Sequence, residues 1–533
     1  CIPLGVSIPV GKDSMSMRTV WKDSGKVENK VVAPVSLIVS GFAQVRDVGL
    51  TLTPELMNGN SGTVLLLIDL GCGKNRLGGS ILAETAKQLG GEVPDLDNPE
   101  LLRGFFGFVQ SLLEDQLVLA YHDRSDGGLV TTVCEMMFAG RCGISLNLKD
   151  SQADHVGFLF SEELGAVIQV ERDTLSEVND RSRKFGIEDQ VMEIGTMNSG
   201  DRLDIYAGDE LLLSQSRSAC QQAWSSTSWQ MQRLRDNPFC ADQEYLRITD
   251  QQDSGLFCDL TFEYDSEFRQ SVNLSLQKPG IAILREQGVN GHLEMAAAFE
   301  AVGFTPHDVT MTDILGGMKL DGFKGLAACG GFSFGDVLGA GAGWGKSILY
   351  NDVLKEEFAG FFSRTDTFGL GVCNGCQMLS CIRDIIPGAE HWPDFVRNTS
   401  EQYEARFIMA EIVSETSILT TDMKGSMIPV PTSHGEGRVE YRNTDDKAML
   451  EDRNQVCMRF VDSRGCVTER YPLNPNGSPG GATGFTTRDG RFTILMPHPE
   501  RVFLTSSNPW HPDRWGKYSP WIKLFENARN WVG

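Results

Sequence analysis

No stretch of this 533-residue chain approaches the ~20 consecutive apolar residues of a membrane-spanning helix. No charged-then-apolar leader opens it either. Basic charge is scarce: 48 Lys and Arg stand against 71 Asp and Glu, a formal net charge of -23. That surplus repels phosphate backbones and anionic lipid, so neither nucleic acid nor membrane is expected as a partner. Among 13 cysteines, only Cys373 and Cys376 have C-x-x-C spacing, and tetrahedral zinc needs a second pair of ligands. An odd number of scattered cysteines predicts reduced thiols in a cytoplasmic compartment. An initiator Met is lacking too. "CIPLGVSIPVGKDSMSM" reads as mid-domain sequence, and the chain is expected to be the C-terminal part of a longer polypeptide.

What is present is ordinary globular composition, 41% hydrophobic and 22% charged, over a length too great for one core. Residues 1 to about 57 carry short strand-like runs such as "VVAPVSLIVSGFAQV". A second unit, 59–215, holds the apolar strand run "TVLLLIDL", a helix expected over Leu129 to Ala139 after "SDGG", and a strand at "LGAVIQV". Residues 216–277 are rich in Gln, Ser and Asp and read as a connector with one or two short helices. From Lys278 the texture alternates strand, loop and helix: "GIAIL", an alanine-rich helix over Leu293 to Val302 stopped by Gly303, "GLAACGGFS" and "TFGLGV". This predicts an α/β domain with a mostly parallel sheet. Trp521, Leu524, Phe525 and Ala528 mark one face of a final helix.

"TFGLGVCNGCQMLSCI" packs three cysteines into residues 367 to 382. Cys381 suits a structural role, on a helix whose apolar stripe is Met378, Leu379, Ile382 and Ile386. Cys373 sits in Gly371-Val-Cys373-Asn-Gly375, the pattern of a nucleophile elbow. In such a strand-to-helix turn the residues two before and two after the nucleophile crowd each other, so both must be small. Cys376 fails that test, flanked by Asn374 and Met378. At a helix N-terminus the macrodipole favours thiolate, and the free N–H groups can hold an oxyanion. A cysteine nucleophile needs a base and an orienting carboxylate. Two H-x-E pairs offer both: His434-Gly-Glu436 in "TSHGEGR", and His498-Pro-Glu500 after the strand "RFTILM". Pattern favours His498 modestly and leaves both open.

"GAGAGWGKS" imitates a phosphate-binding loop, but that pattern requires Gly where Ala340 stands. "HDRSDGGL" (His122 to Leu129) and "GKDSMS" (Gly11 to Ser16) offer acidic residues and serines at a turn. Each is compatible with a magnesium–phosphate site or with an ordinary capped turn.

Together "GVCNGCQM", "PTSHGEGR" and "MPHPER" resemble the glutaminase domain of the formylglycinamide ribonucleotide amidotransferase (phosphoribosylformylglycinamidine synthase) family, in its long single-chain form. "REQGVNGHLEMAAAF", "CGGFSFGDVLGAG" and "RNTSEQYEARF" are similar to further blocks of that domain, and "IPVGKDSMSM", "HDRSDGGL", "FAGRCGI" and "LRDNPFCADQE" to the synthetase portion. The resemblance implies a flavodoxin-like triad glutaminase domain at 278–533. Before it would come α+β units of the aminoimidazole ribonucleotide synthetase type: the end of an ATP-binding unit at 1–58, a C-terminal unit at 59–215 and a connector at 216–277. It implies purine biosynthesis: glutamine, ATP and formylglycinamide ribonucleotide as substrates, Mg2+ as cofactor, and the remaining synthetase domains upstream on the same polypeptide. By motif match Cys373 is the nucleophile, His498 the proton shuttle and Glu500 its orienter. Backbone N–H groups near Gly331 and Asn374 would form the oxyanion hole, Asp123 would be one Mg2+ ligand of an incomplete set, and Ser125 would lie at the nucleotide. The competing readings are a flavodoxin-like cysteine peptidase or deglycase, and a redox-sensing thiol protein.

Overall fold

The structure, a computed structural model, describes residues 1–12, 17–33, 38–57, 62–148, 154–264 and 278–533. Asp13 to Ser16 of "GKDSMS" and the junctions at 58–61 and 265–277 lie outside the described residues. The chain divides into two compact units, Cys1–Trp224 and Ser225–Gly533.

In the first unit "TVLLLID" becomes the strand Thr63–Asp69 of a seven-stranded, largely antiparallel sheet. From Val64 to Ile68 the strand is apolar at every position because both of its faces are covered. Val64, Leu66 and Ile68 share a core with Phe108 and Leu112 of the helix Pro99–Glu114. Leu65 and Leu67 point the other way, into a core with Leu129, Val133 and Met137 of the helix Gly128–Gly140. The "LGAVIQV" run forms Gly165–Glu171 and pairs along Thr63–Asp69. Within 1–57 the described strands are Arg18–Lys22 and Glu28–Val32, paired antiparallel.

The expected irregular connector is more ordered than its composition suggests. Arg217–Arg235 is one 19-residue helix, and Pro238–Arg247 is a second. The break between them is local chemistry. Asn237 accepts from the N–H groups of Phe239 and Cys240, and Pro238 takes the first helical position, where a missing N–H does no harm. Asn237 also donates to the carbonyl of Thr399, and Arg406 pairs with Glu244, so the helix Pro238–Arg247 is tied into the second unit, to which it belongs.

The second unit is built on a nine-stranded sheet. Five parallel strands run in the order Thr305–Thr310, Gly280–Arg285, Gly325–Ala328, Phe368–Val372, Phe492–Leu495. Four antiparallel ones continue it: Ala482–Thr486, Val456–Phe460, Glu404–Ile412 and Met427–His434. The alanine-rich helix spans His292–Ala301 and ends before Gly303, whose φ is +93°. Through it the chain passes from Gly280–Arg285 to its outer neighbour Thr305–Thr310, and then returns to the other side at Gly325–Ala328. Such a reversal leaves a crevice at the carboxyl ends of the strands, and this is where the loops carrying Gly330, Cys373 and His498 converge. The final helix, Ile522–Val532, buries Leu524, Phe525 and Ala528, with the Phe525 ring edge-on to Phe299 at 5.1 Å.

The crossing of strand Phe368–Val372 into helix Asn374–Cys381 has no spare volume. A Cβ on Gly371 would stand 2.9 Å from the carbonyl oxygen of Gly375, and one on Gly375 would stand 2.0 Å from that of Ala328. Gly375→Ala should therefore destabilise the unit by about 1–3 kcal/mol through overpacking, read as a fall in its melting temperature. An unchanged melting curve would show that the helix can slide away from the sheet.

Candidate active site

Cys373 links strand to helix with φ +52° and ψ −108°, a conformation that costs a residue with a Cβ ~1–3 kcal/mol. Its amide is anchored by donating to the carbonyl of Leu495 at 2.8 Å, on the next strand. The side chain is 5% exposed, and its S–H faces the carbonyl of Ser433 at 3.6 Å.

His498 arrives from the end of Phe492–Leu495. Pro499 keeps it out of helical geometry, at φ −112° and ψ 78°. Its ring is buried, and Nδ1 donates to Oε1 of Glu500 at 2.7 Å, where Glu500 is itself fully buried. Nε2 of His498 and Oε2 of Glu500 make no other hydrogen bond. A Cβ on Gly330 would stand 2.7 Å from Cε1 of His498 and 3.4 Å from Cβ of Cys373, so only glycine there leaves room for the two to meet.

Burial alone would hold the Cys373 thiol protonated, yet the His498 imidazolium pulls it down to about 6. Burial also works against the His498 cation, and the Glu500 carboxylate and Cys373 thiolate raise it to about 9. Near neutral pH the site is thus a thiolate–imidazolium pair backed by a carboxylate.

The second H-x-E pair also reaches this site, in a different arrangement. His434 ends the strand Met427–His434, is buried, and lies within hydrogen-bonding reach of the Cys373 sulfur. Its neighbour Glu436 turns away and accepts the N–H of Ala340 at 2.9 Å. The glycine of "HGEG" is explained by the ring itself, since a Cβ on Gly437 would stand 2.2 Å from it.

A cavity of about 120 Å3 opens over the thiol, lined by Gly331, Asp336, Gln377, Tyr403, His434 and Glu436 among others. Asp336 is raised by burial and by the nearby Glu436 charge. Asn374 braces the rim, accepting from the amide of Ser333 and donating to Asp336. As the first residue of the helix it has an N–H with no intrahelical acceptor. Sequence reasoning missed Asp336 and Tyr403, which no spacing ties to the elbow, and Gln377, which follows Cys373 by one helical turn.

Cys376 is fully buried in the first turn of the helix, and burial pushes its thiol well above the ordinary range. A thiol kept protonated suits neither zinc nor thiol exchange. Cys381 closes the same helix against Gly345, where a Cβ would meet it at 2.7 Å. One more glycine of "GAGAGWGKS" has the same purpose: Gly341, at φ +70°, lies against Gln377 and Met378 of that helix.

In the first unit Asp123 ends the strand Ala120–Asp123, exposed, with Oδ1 accepting from the Tyr121 hydroxyl at 2.5 Å. Burial and this carboxylate push the Tyr121 phenol up. Ser125 is exposed, its carbonyl accepting from Gly128 across a turn. Gly128 lies against the backbone of Phe160 and Ser161, where no Cβ fits. Among the described residues no three His, Cys, Asp or Glu side chains gather to hold a metal ion, so Asp123 does not by itself fit a Mg2+ site.

Three family profiles match the chain: FGAR-AT PurM_N-like domain over residues 1–44, AIR synthase related protein, C-terminal domain over 60–208, and CobB/CobQ-like glutamine amidotransferase domain over 278–532. Among solved structures the chain is similar to PurLQS from Thermotoga maritima, at 23% identity and TM-score 0.37, over 48% of this chain and 100% of that one. It is also similar to T. maritima PurL complexed with ATP, at 12% identity and TM-score 0.26, over 32% of this chain and 27% of that one. A putative GMP synthase protein from Thermoplasma acidophilum matches at 13% identity and TM-score 0.29, over 48% and 95%. The chain thus spans about a quarter of the length of that PurL. Among the described residues no helix is long and apolar enough to cross a membrane.

The thiolate is present above about pH 6 and is lost as pH falls through that value. Iodoacetamide should therefore alkylate Cys373 with a rate that rises through pH ~6, and Cys376→Ala should leave that profile in place. A midpoint near ~8.5, that of an ordinary thiol, would contradict the ion pair.

Proposed function

The chain belongs to the formylglycinamide ribonucleotide amidotransferase family, and from that premise we propose that Cys373 hydrolyses glutamine to supply ammonia for a ligation. The observation that carries this reading is the buried Cys373 side chain on the elbow, beside an imidazole backed by a carboxylate. Cys373 Sγ attacks the carboxamide carbon, and the π electrons of the C=O bond move to oxygen. Gly331 on the cavity rim and the first amide of the helix at Asn374 are the groups suited to hold that oxyanion. His498 passes its Nε2 proton to the leaving nitrogen, the C–N bond breaks, and ammonia departs from a glutamyl thioester. Water then attacks the thioester. Now neutral, His498 takes a proton from that water, and glutamate leaves as Cys373 returns to thiolate.

In the full-length protein, ATP activates the amide oxygen of formylglycinamide ribonucleotide, and ammonia displaces phosphate to give formylglycinamidine ribonucleotide, ADP and phosphate. This chain carries the glutamine amidotransferase domain and part of the synthetase region. We assign Asp123 and Ser125 to the synthetase side, Asp123 as a contributor to a Mg2+ set completed elsewhere on the polypeptide. The peptidase reading fares worse, since it has no use for residues 60–208, which match a synthetase-related domain.

If Cys373 only liberates ammonia, Cys373→Ala in the full-length protein should abolish glutamine-dependent synthesis. It should keep turnover when ammonium salt is supplied at high pH, where more of it is NH3. Asp123→Asn should do the reverse, lowering the ATP-dependent rate with either nitrogen source. The check is steady-state product formation with each donor. Loss of the ammonia-driven rate in Cys373→Ala, with an unchanged melting curve, would contradict the division of labour.

A further inference from the structure

Catalysis by Cys373, His498 and Glu500 leaves one buried imidazole unused. His434 is 3% exposed and shares the cavity with Cys373. Its Nε2 meets Oδ1 of Asn476 at 2.6 Å. That amide cannot be turned round, because its Nδ2 donates to the carbonyl of Gly437 at 2.8 Å and a carbonyl can only accept. Oδ1 therefore faces His434, and Nε2 must carry the hydrogen. In the neutral ring Nδ1 is then a bare acceptor, buried with no hydrogen bond of its own and within reach of the Cys373 sulfur. The contrast with His498 is chemical: there a carboxylate backs the ring, here a neutral amide does.

A thiolate and a lone pair thus face one small cavity with no hydrogen between them. A ligand that brings N–H donors relieves both, while one that brings only oxygen lone pairs adds a third acceptor. Resting on the reading of this site as a glutaminase, we infer that His434 is a specificity-determining residue whose Nδ1 accepts from the carboxamide nitrogen of the substrate and disfavours the carboxylate of the product. The substrate class is a primary carboxamide, whose two N–H groups are lost in the acid that forms from it. No proton is transferred to His434 in this role. It discriminates before and after the chemistry that His498 performs.

The test is steady-state glutamine hydrolysis by the full-length protein, with glutamate as competing product. The readout is the ratio of the glutamate inhibition constant to the KM for glutamine. His434→Ala should lower that ratio at least ~10-fold, because it removes the acceptor that tells amide from acid. Asn476→Asp, which favours a protonated ring and turns Nδ1 into a donor, should lower it as well, and serves if His434→Ala does not fold. His434→Asn can place an amide oxygen where Nδ1 stood and should restore the ratio to within about 3-fold of wild type. A merely structural histidine would weaken amide and acid in parallel. A ratio within about 2-fold of wild type in both His434→Ala and Asn476→Asp overturns the inference while leaving the glutaminase reading intact. Wild-type protein that hydrolyses no glutamine overturns both.

Discussion

Between Val372 and Asn374 the chain changes from strand to helix within one residue, and that residue carries the thiol. Everything else in the site is arranged around keeping this turn as tight as it is. Gly371 and Gly375 are glycines because their Cα atoms close on neighbouring backbone, and Gly330 is one because the His498 ring occupies the space of its Cβ. The anchor from the Cys373 amide to Leu495 ties the turn to the strand from which His498 emerges. Nucleophile and base are therefore carried just beyond the ends of two adjacent parallel strands.

The electrostatics follow from that burial. Three ionisable groups are buried together, an arrangement that is costly unless each is paired. Glu500 supports the charge of His498, and His498 in turn supports the thiolate of Cys373. The free Nε2 of His498 and free Oε2 of Glu500 are the open ends of this chain of charge. In a protein of net charge -23, a site reached by a zwitterionic amino acid needs no long-range steering, only local donors and acceptors.

Much of this was legible in the sequence because it rests on short-range sterics. Gly-x-Cys-x-Gly states a turn whose flanking positions crowd each other, and a Cβ on Gly371 would indeed run into the backbone of Gly375. His498-Pro-Glu500 states an imidazole and a carboxylate two residues apart; they meet at 2.7 Å, across a 3-10 turn rather than along the extended segment the spacing suggests. The apolar run at 63–69 could be read as a strand covered on both faces, as it is. What stayed hidden depends on long-range closure. Nothing in "TSHGEGR" tells that His434 meets the elbow while Glu436 turns to Ala340, or that Asn476 fixes the ring. Composition predicts only short helices in the connector; Arg217–Arg235 runs to 19 residues, a length its Gln and Ser content masks because it has no strong apolar stripe.

The central claim is that Cys373, and no other thiol, becomes covalently attached to the substrate. Acid quench of the protein during turnover with glutamine, followed by peptide mass analysis, tests it most directly. One glutamyl group, in thioester linkage, is expected on the peptide that contains Cys373 and on that residue within it. An adduct on Cys376, or brisk glutamine hydrolysis with no thioester at any time point and none in His498→Ala, would contradict it.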